Sequence, residues 1–393
     1  MWPGIGKGAA GPTTHKITSE FMKIVIERAA LLKSLGHVQS VVERRNTIPI
    51  LSNVRIDAAK GNLSLHATDM DIEIAESTTA DVGKGGATTT PVLTLYEIVR
   101  KLPDGAQVEL TTSSDGGQIA LSAGRSKFTL ACLPVEDFPA MSGGDLSHNY
   151  KLGASDLRGL IDRTRFAIST EETRYYLNGI YLHAAKSDGL NVLRAVATDG
   201  HRLARVEVPL PDGASGMPGV IVPRKTVGEL RKLIDETDAD ISISLSDAKI
   251  RFGFDNVVLT SKLIDGTFPD YERVIPSGND KTLEINRKDL ANAVDRVSAI
   301  SSEKSRSIKM ACEKGMITLS ASSPEAGSAT EELEASYAAG QLEIGFNSRY
   351  LLDILQQIEG DAAHFSMSDA ASPTIIRDVA DSSAVYVLMP MRV

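Results

Sequence analysis

Apolar residues recur along this chain with two periods, and the two alternate. Residues 26–45 place Leu31, Leu32, Leu35, Val38, Val41 and Val42 at the intervals of one buried helix face. Leu157, Leu160, Ile161 and Ile168 do the same in 153–169, and Leu290, Ala293, Val294, Val297 and Ile300 in 285–301. A short alternating segment precedes each run: KIVIE, YKLGA and KTLEI, the two-residue period of a half-buried strand. Leu31, Leu157 and Leu290 are therefore equivalent positions, 126 and 133 residues apart.

A second helix is predicted after a strand in each unit, within TPVLTLYEIVRKL, VIVPRKTVGELRKLI and IGFNSRYLLDILQQI. The first two units run on to similar ends, LACLPVEDFP and LTSKLIDGTFP, and the third ends in VYVLMPMRV. Segments such as NLSLHATDMDIEIAE, ISISLSDAKIRFGF and KFTLACL alternate apolar with polar residues, as antiparallel strands with one face covered do. The period is too long for a solenoid and is the length of a whole domain. The expectation is an α+β chain of three domains of like topology, each with two helices packed on antiparallel sheet. Their expected limits are 22–145, 146–276 and 277–393.

The repeat bears on the most chemical-looking motif. ATDGHRLA at 197–204 sets Asp199 two residues from His201, a spacing that invites a hydrolase reading. ATDM at 67–70 is its earlier copy, which makes ATD a strand end leading into a turn. A catalytic triad or a metal site needs further partners, and none of the seven histidines has metal-ligand spacing. No catalytic residue, metal or cofactor is expected.

Residues 1–21 have no apolar period and read as a disordered extension, with Met22 opening the folded part. GIGKGAAG within them lacks the preceding strand and the following Ser or Thr of a phosphate loop. The segment also lacks the features of a targeting peptide. Cys132 and Cys312 form no CxxC pair and are expected to be free, buried thiols of a cytoplasmic protein. No stretch approaches the roughly 20 apolar residues of a membrane-spanning helix, and no membrane partner is expected.

Charge changes the picture more. The net formal charge is −9, which by itself argues against a polyanionic partner. The six helix candidates nevertheless sum to +8, leaving −17 for everything else. Basic helices on an acidic remainder suit a shared surface for a polyanion, touched through its backbone without sequence preference. No finger, recognition helix or aromatic RNA-binding motif is present to read bases.

In order, ERAALLKSL, TIPILSNV, RYYLNGIYL, ATDGHRLA, VIVPRK, TSKLIDGTFPDYERVIP, IGFNSRYLLDIL and VLMPMR resemble the β subunit of bacterial DNA polymerase III, the sliding-clamp family, from Met22 to Val393. The resemblance implies a head-to-tail homodimer closed around duplex DNA. Such a protein gives a polymerase processivity and makes or breaks no bond. It implies a cleft between the second and third domains. There the replicative polymerase, the clamp loader, and repair and translesion proteins insert short peptides with apolar anchors. The matching positions are Leu177, Thr198, Gly200, His201, Arg202 and Leu203. Pro269, Arg273 and Val274 join them, with Asn347, Tyr350, Val387, Met389, Pro390, Met391 and Arg392. DNA contacts carry over to Arg45, Tyr175, Tyr176, Arg224 and Lys225. The first unit has Leu93 and Thr94 where the family often has a basic pair, so a DNA contact is not implied there. Phe128 and Leu130 on KFTL, with Ile300 on VSAIS, match the subunit interface.

Overall fold

The computed structural model describes residues 21–141, 145–302 and 306–392. The expected extension lies outside them except for Phe21, whose ring carries the Lys84 ammonium 4.4 Å from its centroid. Packing begins at Met22, which is buried. Its N–H donates to Thr112 Oγ1 at 2.7 Å and its carbonyl accepts the Thr112 N–H at 3.0 Å.

Among the described residues the helices come in three pairs. They are α1 (Arg28–Val38) and α2 (Val92–Lys101), α3 (Ala154–Asp162) and α4 (Arg224–Leu233), and α5 (Arg287–Ser298) and α6 (Ser348–Leu355). The strands Lys23–Glu27, His148–Gly153 and Lys281–Asn286 lead into the first helix of each pair. Side chains cap several helix starts. Glu27 accepts from Ala30 N, Asn286 from Lys288 N and Asp289 N, and Asn347 from Arg349 N and Tyr350 N.

The first helices are shorter than their apolar spacing predicts. In the run 153–169, α3 stops at Asp162. Buried Thr164 turns its hydroxyl onto the Leu160 carbonyl at 2.5 Å, a bond that competes with the helical ladder. The chain continues as a single 3₁₀ turn, Arg165–Ala167. After α1 a 3₁₀ turn, Gln39–Val41, likewise keeps Val41 buried without extending the α-helix. With the observed bounds the six helices sum to +6 and the remainder to −15, because Arg163 and Arg165 fall outside α3.

An arginine ties the two helices in the first two pairs. Arg28 donates to the carbonyls of Val99 and Arg100 at the end of α2, at 3.1 and 2.7 Å. In the second pair the position of Arg28 is Ala154. Arg158, one turn later, takes over and donates to the Ile234 and Thr237 carbonyls beyond α4, both at 2.8 Å. A cation on the carbonyl end of a helix satisfies otherwise unpaired acceptors and opposes the helix dipole.

The chain forms two compact units, one up to Asp69 plus Ala75–Ala140, the other Met70–Ile74 plus Met141 onward. The first holds a five-stranded sheet whose outermost strand is Ser126–Ala131, paired on one side to Gln118–Ala123. In the second, the second and third repeats share a nine-stranded sheet. Their junction is the antiparallel pair Arg202–Pro209 with Ala384–Leu388, in register from Arg202 opposite Leu388 to Val206 opposite Ala384. This shared ladder explains why two repeats make one compact unit.

Cys312 is buried, which pushes its thiol up to about 12. Cys132 is only partly buried, a correction to the expectation that both thiols lie inside. Both are free. Among the described residues no helix is long and apolar enough to cross a membrane.

Candidate partner cleft and nucleic-acid surface

ATDGHRLA forms the turn between strands Leu190–Thr198 and Arg202–Pro209. Its polar residues hold the turn. Asp199 Oδ1 accepts the backbone N–H groups of His201 and Arg202 at 2.9 and 3.0 Å. Thr198 Oγ1 donates to the Arg202 carbonyl at 2.7 Å and accepts the Gly200 N–H at 3.1 Å. Gly200 takes φ +88, a left-handed conformation that glycine adopts without strain. The carboxylate that looked catalytic is thus engaged by the backbone of its own turn.

Beside this turn lies a pocket of about 190 Å³ lined by Leu177, Thr198, Gly200, Arg202, Leu203, Pro269, Asp270, Tyr271, Val274, Val387 and Met389. Its floor is the top of a packed core. Leu177, Leu203, Tyr271 and Val387 belong to one buried cluster with Val196, Ile221 and Phe268. Its rim is Val274, 48% exposed, and Met389, 38% exposed. A rigid apolar floor with an adaptable thioether at its edge suits an apolar anchor inserted from solvent.

Arg202 is the polar hub, buried although charged. It donates to Asp199 at 3.2 Å, to the Phe166 carbonyl at 2.6 Å and to Asp353 of α6 at 2.5 Å. Its guanidinium lies 5.0 Å from the Phe166 ring centroid and 4.3 Å from that of Tyr350. One side chain so joins the second repeat to a helix of the third.

Of the cleft positions implied by resemblance, Leu177, Thr198, Gly200, Arg202, Leu203, Pro269, Val274, Val387 and Met389 line the pocket. His201, Arg273, Asn347, Tyr350, Pro390, Met391 and Arg392 do not. His201 stacks near Tyr350 with centroids 6.2 Å apart, Asn347 caps α6, and exposed Arg273 pairs with Asp270 at 2.7 Å. The sequence alone also suggests that pairing ends at Pro390 and leaves Met389 and Met391 free. Instead Met389 N–H donates to the His201 carbonyl at 2.9 Å and Met391 N–H to the Gly345 carbonyl at 2.8 Å, so the chain stays pinned on both sides of the proline. Sequence reasoning missed Tyr271 and Asp270. Tyr271 stands inside the matched FPDYERV, and an aromatic residue there was the available signal.

Arg45 is exposed in the loop after α1. Tyr175 is exposed and meets half-buried Tyr176 edge-on, centroids 5.8 Å apart. Arg224 and Lys225, both exposed, open α4, whose first turn contains no acidic residue. Cations are disfavoured at that end of a helix dipole, so the placement costs stability unless an anion lies nearby. Elsewhere on the helices Arg231 pairs with Asp162 and Asp235, Arg100 with Glu97 and Arg296 with Glu331.

Paired helices on antiparallel sheet, with an apolar pocket where the second and third repeats share a ladder, define the DNA-clamp class of folds. Models of the N-terminal, central and C-terminal domains of the DNA polymerase III beta subunit match residues 22–142, 151–270 and 272–392. The beta sliding clamp of Caulobacter vibrioides is 56% identical over 372 residues, covering 95% of this chain and all of that protein. The Escherichia coli beta sliding clamp is 37% identical over 94% of this chain and 100% of its own length. A solved Caulobacter crescentus beta sliding clamp superposes with a TM-score of 0.94 at 55% identity, over 95% of this chain and 100% of that one. The Bartonella birtlesii clamp, solved bound to griselimycin, gives 0.92 at 53% identity with the same coverage. The chain belongs to the DNA polymerase III beta subunit family and functions as a DNA sliding clamp.

Proposed function

We propose that two copies of this chain close head to tail into a ring around duplex DNA, and that the pocket beside Gly200 is where partners are tethered. The pocket is the observation that carries the tethering: an apolar floor fixed by a core, open to solvent, with Arg202 and Met389 at its edge. The partners are the replicative polymerase, the clamp loader, and repair and translesion proteins, each inserting a short peptide with apolar anchors. The same chemistry suits griselimycin, the ligand of the Bartonella relative. His201, Tyr350, Arg273 and the terminal residues around the pocket extend the contact.

Arg45, Tyr175, Tyr176, Arg224 and Lys225 face the DNA. Their contacts are with phosphates that repeat along the duplex, so no register is preferred and the ring slides. The ring joins the edge strand bearing Phe128 and Leu130 to the end of α5 at Ile300. The protein acts in the cytoplasm and catalyses no reaction of its own. Its domains run 22–145, 146–276 and 277–393, although the family match of the third begins upstream of that limit, at residue 272.

The test is retention on nicked circular DNA after loading. A topological link predicts that the protein stays on the circle at high salt and leaves when the circle is linearised. Release from circular and linear DNA alike would remove the ring reading.

A further inference from the structure

Beside the pocket a chain of hydrogen bonds runs from the middle of a strand to Tyr271 in the pocket lining. Arg194 is buried in the middle of an apolar strand, Leu190–Thr198. Its guanidinium donates to Glu207 at 2.7 Å, to Glu272 at 2.6 Å and to the Tyr271 hydroxyl at 2.7 Å. The same hydroxyl lies 3.0 Å from His183 Nε2, and His183 Nδ1 lies 3.0 Å from the Ala184 carbonyl. A carbonyl can only accept, so Nδ1 carries the proton and Nε2 of the neutral ring is an acceptor. Tyr271 therefore accepts from Arg194 and donates to His183, and the order of donors is fixed from end to end. His183 is also clamped between rings, with centroids 4.6 Å from Tyr181 and 5.8 Å from Tyr271.

Tyr271 is the one residue of this chain that also lines the pocket. It opens the short 3₁₀ segment Tyr271–Val274, so its position sets that of Val274 on the rim. We infer that Arg194 and His183 are positioning residues for the cleft: without touching the inserted peptide, they hold Tyr271 and the wall it begins in the shape that receives an apolar anchor. Two of the Arg194 acceptors, Tyr271 and Glu272, belong to the segment that begins this wall, while its cross-strand neighbour Glu207 and the Lys186 carbonyl at 3.5 Å hold the guanidinium from the sheet side. The inference rests on the reading of the pocket as the partner site.

Burial, with Arg194 nearby, lowers the His183 pKa below the ordinary histidine value, which keeps the ring an acceptor at neutral pH. The groups facing His183 and Tyr271 are Tyr181, Arg194, Arg205, Glu207 and Glu272. Protonation of His183 would set an N–H against the Tyr271 hydroxyl proton and break the order. The lowered pKa places that loss below pH 6.5.

The experiment uses the full chain and a fluorescein-labelled synthetic peptide with Leu and Phe anchors, read by fluorescence polarisation. Tyr271→Phe keeps the ring in the pocket and removes only the hydroxyl. His183→Phe keeps the ring stack and removes the acceptor, together with the Nδ1–H bond to the carbonyl of its own neighbour Ala184. Each is expected to weaken binding by roughly three- to tenfold, the equivalent of one hydrogen bond. The double variant should lose no more than the worse single, because both break one link. Parental affinity should fall below pH 6.5, while the two variants titrate without that fall. Val274→Asp, on the exposed rim, is the parallel control. If Val274→Asp leaves binding intact, the pocket is not the partner site. If it abolishes binding while both ring-preserving variants bind as the parent does and keep its pH profile, the positioning role is overturned. Melting curves accompany each variant, and additive losses that track melting temperature with an unchanged pH profile also overturn it.

Discussion

At the scale of single residues, the repeated ATD motif contains an unforced asymmetry. Gly200 in the second copy and Met70 in the first both take a left-handed backbone, at φ +88 and +78. For glycine this conformation is without strain, whereas a side chain there costs about 1–3 kcal/mol. The turn geometry is thus kept in both repeats while the residue that suits it is kept in only one. Gly200→Met should destabilise the chain by about 1–2 kcal/mol, and its Cβ would also press on the Arg174 guanidinium, 2.6 Å away. Met70→Gly should cost less than about 0.5 kcal/mol, since relief of strain offsets the added entropy of the unfolded chain. Denaturant titration of both variants decides it. Equal losses would mean the turns are held by contacts and not by backbone preference.

At the scale of elements, the C-terminal strand separates what was legible from what was not. Alternation in VYVLMPMRV made Ala384–Leu388 readable as a strand, and KIVIE, KTLEI and the helix runs were readable in the same way. Periodicity reports which face is buried, so it found these elements, whereas the apolar floor of the pocket was implied only by the resemblance. It does not report where an α-helix gives way to a 3₁₀ turn that keeps the same residue buried, as at Val41, because both bury it. Nor does it report hydrogen bonds to distant carbonyls. The Met391 N–H bond to Gly345 depends on a partner 46 positions away that no local pattern indicates. Arg194 was visible as a charge in an apolar run, yet only the fold shows which acceptors make it tolerable. Deleting residues 389–393 should therefore cost about 2 kcal/mol of stability, two backbone hydrogen bonds at about 1 kcal/mol each, together with peptide affinity. Met389→Ala should reproduce most of the affinity loss without the stability loss, because its side chain lines the pocket and its backbone bond is kept. Met391→Ala should weaken binding less than Met389→Ala does, because Met391 lies outside the pocket lining. Polarisation titrations alongside thermal melts separate the two, and a larger affinity loss from Met391→Ala would reverse the assignment of the rim.

At the scale of the whole molecule, function depends on closing a ring, and closure needs an edge that a second copy can cover. Among the described residues, strand Ser126–Ala131 is the last of its sheet, and its outer side presents backbone groups with no partner strand beside them. Such an edge invites pairing with another chain unless it is covered. Phe128 on this strand is 37% exposed, which puts an apolar ring where a solitary monomer gains nothing from it. Arg125 and Lys127 flank it. Strand Gly327–Glu334 is likewise the last of its four-stranded sheet and packs on α5, the helix that leads to Ile300. Glu331, Glu332 and Glu334 lie on it. The two patches differ in charge and composition, so the proposed contact between them would be heterologous, one chain's basic edge on another's acidic edge, and would close into a ring only when the rotation per copy allows. A carboxylate at position 128 attacks this contact twice, by burying an unpaired charge at an apolar centre and by facing other carboxylates. Phe128→Asp is therefore expected to be a folded monomer by light scattering at concentrations where the parent is a dimer. Its melting curve should resemble that of the parent monomer, and its peptide affinity should be unchanged, since the pocket lies wholly within the second compact unit. The variant should still touch DNA but lose retention on nicked circles, because a phosphate contact without closure is screened by salt while a topological link is not. A Phe128→Asp protein that stays dimeric and remains on circular DNA would place the subunit contact on another surface of the molecule.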